Sequence, residues 1–270
     1  MNRYSILLLG LLLSACLDTT RLEPAPTDLD GNLRWFWSSS AAASEQEALD
    51  AVIKLNTASK AETRLKTTPN RGELSRLSTA DLSSVMLDQL NEPAAAHGVF
   101  LLNVFDCPLD KLESSLLALN QKEQRPDAFD QYVREYTSDA ERYWARTSPT
   151  LAWNVDVVVK LPFPIGETYR SALKGDVRRV SSSVGPVLIV RTWLTAPAVF
   201  QNGSTSTFRQ DYQIEVYWQR SPGEIFHAYG IWREMHLASV DLGTEDPAYV
   251  NIMLDNLKTW DDQAAAICRK

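Results

Sequence analysis

Between residues 207 and 219 apolar and polar side chains alternate: Phe208, Tyr212, Ile214, Val216 and Trp218 against Arg209, Asp211, Gln213, Glu215 and Gln219. Period two is the repeat of a strand, and two parities of opposite character put one face on a core and the other in water. The same period begins after Pro149, where Trp153, Val155, Val157 and Val159 oppose Asn154 and Asp156. Further strands are expected over 167–174, 176–180 and 187–200, with a final strand pair over 224–242. Gly175 with Asp176, Gly185 with Pro186, 201–206 and 221–223 carry the residues of turns. Connections this short leave no room for a crossover, so neighbouring strands must be antiparallel.

Helices flank this run. Residues 98–105 form a compact apolar strand, and behind Pro108 the leucines at 109, 112, 116 and 119 recur at helical spacing. Pro126 and Asp127 open what reads as a helix over 125–144, with Phe129, Val133, Tyr136 and Tyr143 on one side. Asp246 and Pro247 are start signals for a long C-terminal helix whose stripe is Val250, Met253, Leu254, Leu257, Trp260, Ala264 and Ile267. Upstream, residues 33–97 read as an accessory helical segment. Ser44 and Glu47 form a capping box, and a second helix is signalled by Ser78 and Asp81 ahead of Leu82, Val85 and Met86.

Strand, two helices, a long antiparallel run and one long C-terminal helix make an α+β order. It resembles the helix-grip fold of the START and polyketide-cyclase superfamily, in which a curved sheet wraps the last helix. The local cue is the strand from Val99 to Phe105, running through Asp106, Cys107 and Pro108 into the Leu109 helix. The resemblance covers 98–270 and implies a cavity for lipids, sterols or other apolar molecules, in some members with a cyclase or hydrolase site. No position matches a family catalytic motif, so no catalytic residue is carried over.

The N-terminus gives an address. One basic residue, Arg3, precedes a short apolar run that is broken only by Gly10 and is too short to span a bilayer. It ends in Leu13-Ser14-Ala15-Cys16, which resembles the bacterial lipobox. The resemblance implies removal of 1–15, lipidation of Cys16, and anchoring by acyl chains. Leu17 behind that cysteine, where aspartate is the inner-membrane retention signal, implies the outer membrane, facing the periplasm or the cell surface. Residues 16–32, with Pro24 and Pro26, read as a tether.

Composition removes several functions. With 27 basic against 34 acidic residues the formal net charge is -7, no footprint for nucleic acid. There is no phosphate loop, no G-x-S-x-G elbow, and no metal spacing among His97, His227 and His236. No cofactor is expected. Cys107 and Cys268 remain after lipidation of Cys16, in a compartment that permits disulfides; they form either a bridge or two buried thiols.

Candidate wall residues of the expected cavity are Trp193, Tyr212, Ile214, Val216, Tyr229, Ile231, Met235 and Leu257, although the same residues would equally fill a packed core. Arg191, His227 and Arg233 are polar residues on apolar parity and either form structural pairs or orient a ligand head group. Three functions follow: a carrier of an apolar or lipid molecule, an interaction lipoprotein that docks an envelope partner through 33–96 or the Trp35, Phe36 and Trp37 cluster, and a cyclase- or hydrolase-like enzyme with His227 as base.

Overall fold

The capping box closes as expected. The Ser44 hydroxyl accepts from the Glu47 N–H, the Glu47 carboxylate accepts from the Ser44 N–H, and helix α2 (Glu45–Ala58) follows. A computed structural model of the chain describes residues 22–59, 69–85, 92–161, 165–181 and 184–269; Cys16 and the lipobox lie outside them. Helix α1 starts at Leu29 and runs to Ser39, capped by Asp28, so the helical part begins inside the expected tether. The segment expected to carry two helices around a polar stretch also holds a strand, β1 (Asn70–Leu74), and among the described residues its second helix is one 3-10 turn at Ala80–Leu82, Met86 lying outside them.

The strands after β1 are β2 (His97–Asp106), β3 (Phe129–Tyr136), β4 (Thr150–Lys160), β5 (Thr168–Val180), β6 (Val187–Leu194), β7 (Val199–Phe200), β8 (Thr207–Ser221), β9 (Glu224–Leu237) and β10 (Leu242–Gly243). Helix α3 (Leu109–Leu116) follows β2, α4 (Ala140–Trp144) follows β3, and α5 (Pro247–Cys268) closes the chain. The strands join one antiparallel sheet in the order β1-β2-β9-β8-β6-β5-β4-β3, with β10 on β9 and β7 on β5.

Four expected elements differ, the first being the strand over 187–200, which is split into β6 and the two-residue β7. The helix over 125–144 is instead strand β3 followed by the short α4. A bulge between Phe129 and Gln131 puts Phe129 and Tyr132 on the same face at a spacing of three, which imitates a helical period. The break expected at Gly175 is absent and β5 is continuous, because glycine serves there to admit a neighbouring ring. The strand pair over 224–242 is the single long β9 plus the two-residue β10.

Helix α5 lies on one face of the sheet, called inner below. Asp261 on this helix accepts a 2.8 Å hydrogen bond from Asn103 of β2, near one end of the sheet. One residue earlier, Trp260 packs edge-on against Phe129 of β3, at the other end, with ring centroids 5.9 Å apart. Strands from both ends of the sheet therefore meet on one helix, which is the helix-grip arrangement. The Cys107–Cys268 disulfide, Cα atoms 5.3 Å apart, ties the end of β2 to the end of α5. It closes a loop of sequence separation 161, and the chain-entropy model gives such a link at most about 5 kcal/mol.

The opposite, outer face is partly covered as well. Leu33, Phe36 and Trp37 of α1 and Val52 and Leu55 of α2 pack with Ile189, Trp193, Tyr212, Ile214, Val216 and Trp232 in one apolar cluster. Trp35, Phe36 and Trp37 are buried, which removes them as an exposed docking patch for a partner. Over β9, β8 and β6 the sheet is thus the middle of three layers, whereas toward the β3 end Asn154, Arg170 and Ala172 of the outer face are exposed.

Candidate functional site

Cross-strand register fixes which side chains share the inner face. One row across the middle of the sheet reads Ile231, Gln213, Thr192, Gly175 and Trp153. Its centre carries little side-chain volume. Gly175 has none, and a Cβ there would fall 2.5 Å from the Trp153 ring, which lies across it. Gln213 and Thr192 stay half-buried although they stand mid-strand under the helix layer. On the next row Glu215, between Tyr229 and Val190, keeps 21% of its side chain accessible. Space therefore remains between sheet and helix at this level, bordered by Thr192, Gln213, Glu215 and the half-buried Leu173 and Leu257.

One wall of that space is a polar cluster. His227 of β9 is buried, with Nδ1 2.8 Å from Asp261 of α5, whose other oxygen accepts from Asn103. Its ring stacks on Tyr217 at 4.0 Å, and its Nε2 faces Glu215 at 3.6 Å. The Tyr217 hydroxyl donates to Glu215, and the Tyr229 hydroxyl donates to Gln213 at 2.5 Å. Burial alone would push His227 down, but contact with Asp261 and the nearby Glu215 carry it above the usual imidazole value. Burial raises the Glu215 carboxyl, with His227 and Tyr217 only partly opposing it. A histidine held by a carboxylate is the form of a general base. Here, however, Nε2 is buried and faces a carboxylate, so the pair is built into the wall.

A second cation was not anticipated. Arg125, in the loop before β3, is 7% exposed, and its guanidinium lies 3.6 Å over the Trp260 ring. Its Nε is buried without a hydrogen-bond partner, and among the described residues no carboxylate forms an ion pair with it. Burial lowers its pKa to about 10, while Tyr217, Glu215, Tyr132 and Asp261 oppose that shift from a distance. Nothing in the sequence marks Arg125 beyond its place beside Pro126. The loop meets α5 only once β3 is recognised as the strand at the sheet's far end.

The expected ligand-binding residues divide between the two faces. His227, Tyr229 and Arg233 of β9 are inner, as are the wall residues Ile231 and Met235, and Leu257 borders the same space from α5. Arg191, Trp193, Tyr212 and Ile214 are outer and lie beneath α1, with the wall residue Val216 in the same cluster. Placing those four in the cavity is therefore corrected, since the most apolar parity of β8 packs on the N-terminal helices. Arg191 is held in place from every side. It pairs with Asp176 through Nε at 2.9 Å and donates to the Trp37 carbonyl at 3.0 Å and the Ser84 hydroxyl at 3.1 Å. Arg233 pairs with Asp211 of the adjacent strand at 3.0 and 3.1 Å and stands over Phe208. Asp211, Gln213 and Glu215, read from sequence as facing water, are inside.

A separate open depression of about 510 Å³ lies at the β9–β10 end, its lining including Ala95, Glu234, His236, Asp241, Glu245 and Asp246. It shares none of the cluster's residues and is an acidic rim.

Two solved structures similar to this chain are START-class domains. The human StarD13 (DLC2) lipid transfer and protein localization domain is 9% identical, covering 76% of this chain and 85% of its own, with a TM-score of 0.39. A STAR-related lipid transfer protein fragment from Xanthomonas axonopodis is 13% identical, covering 67% and 91%, with a TM-score of 0.39. No family model matches the chain, and no curated protein matches it.

Proposed function

We propose that this protein is a carrier that holds an apolar molecule between the inner face of its sheet and the C-terminal helix, anchored to the bacterial envelope by acyl chains on Cys16. The observation that carries the binding reading is that Gln213, Thr192 and Glu215 stay half-buried mid-sheet on the inner face and border a space. A filled core would place large apolar side chains at those positions, because interiors pack to crystal-like density. Apolar walls with a few convergent polar groups are what small-molecule sites have in common.

Thr192→Trp tests the space. The indole would occupy it, so native mass spectrometry of the full chain should show an added small-molecule mass in the wild type and none in the variant, with both folded by circular dichroism. Equal occupancy in the two would remove the site from this face. The anchor is tested by Cys16→Ser. Metabolic labelling with palmitate should mark the wild type, and the variant should carry no label and keep its signal sequence. Label that survives the substitution would contradict the lipobox reading.

A further inference from the structure

The charged groups around the inner space have partners at contact distance, with one exception. Arg233 is matched by Asp211, and His227 by Asp261, which Asn103 also holds. Glu215 is engaged by the Tyr217 hydroxyl and by the imidazole facing it, and burial favours its neutral form. Arg125 is left over. It is more than nine-tenths buried, its Nε has no partner, and among the described residues no carboxylate lies within ion-pair distance. Its one strong contact is the Trp260 face, which orients a guanidinium without neutralising it. Burying a cation without a counter-charge is costly, and a planar fork of donors suits an oxyanion.

Trp260 itself is 37% exposed, although it touches both Arg125 and Phe129. The stacked pair therefore stands where the space between α5 and the β3 end of the sheet meets solvent. A molecule lying along the inner face would present its polar end at this point.

We propose that the apolar ligand is an amphipathic acid, and that the guanidinium of Arg125, oriented by Trp260, receives its anionic head group while the tail lies along the Thr192–Gln213 row. The inference rests on the carrier reading and deepens it. Carboxylate and phosphate heads share the chemistry that Arg125 recognises, and neutral or cationic heads of the same tail length do not.

The test is native mass spectrometry of the purified full chain, titrated in parallel with palmitic acid, hexadecanol and lysophosphatidic acid. Palmitic acid should bind at least about tenfold more tightly than hexadecanol. Arg125→Met should erase that preference, and Arg125→Lys should keep part of it. Preference for the lysophosphatidic acid over palmitic acid would assign the head to phosphate, and the reverse to carboxylate. Equal binding of acid and alcohol by the wild type overturns the head-group assignment and leaves the carrier reading standing, whereas binding of none of the three overturns both. A preference that survives in a folded Arg125→Met protein also overturns the role of Arg125.

Discussion

Asp261→Ala is expected to destabilise the protein by about 3 to 5 kcal/mol at mildly acidic pH, the usual cost of removing one partner from a buried ion pair. Two groups lose their acceptor together, the imidazole of His227 at Nδ1 and the amide of Asn103. The loss should depend on pH with a definite sign. In the wild type His227 is raised above its unfolded value of 6.5, so its contribution is fully present below 6.5 and is lost as pH rises through the folded value. Without Asp261 the dominant influence is burial, which pushes the imidazole down, and the histidine's contribution then grows as pH rises toward 6.5. Urea melts between pH 5 and 8 should therefore show a wild-type to variant gap that is widest in acid and narrows upward. A gap that stays constant across this range would mean that His227 is not charged by Asp261 in the folded chain.

Trp37→Ala should be as damaging on the other face, about 3 to 5 kcal/mol, the range for a buried aromatic reduced to a methyl group. Trp37 is fully buried, tilted on Tyr212 at 5.6 Å and edge-on to Trp193 at 6.2 Å, beneath a layer that also fixes Arg191. Its indole nitrogen has no hydrogen-bond partner, so the loss is packing rather than polar contact. Denaturant melts would measure it. A change below about 1 kcal/mol would mean that the N-terminal helices are a detachable appendage, and partner docking through 33–96 would then regain its ground.

How the sheet is covered explains what the sequence could and could not reveal. Alternation in β8 located a strand and its antiparallel neighbours, and the Asp246–Pro247 start located the closing helix. The choice of inner face went wrong because parity records which side is more apolar, and that side of β8 packs on α1 and α2. The inner side carries Asp211, Gln213 and Glu215, which look solvent-bound until Arg233, Tyr229 and His227 arrive from β9 to satisfy them. Tertiary pairing of that kind has no local signature. Counting cysteines left a bridge or two buried thiols open, and the fold decides for the bridge by bringing the end of β2 against the end of α5. Strand β3 was hidden by its bulge, and with it the loop that delivers Arg125 to Trp260.

The most direct test of the carrier reading is the composition of the protein as it leaves the cell. The full chain, expressed with its own signal in a bacterial host and purified in a single defined non-ionic detergent, would be examined by native mass spectrometry and its organic extract identified. The expected result is one small amphipathic acid per chain, distinct from the detergent and absent from Thr192→Trp. A wild-type chain whose mass is that of the lipidated polypeptide alone, even after incubation with total envelope lipids, would contradict it.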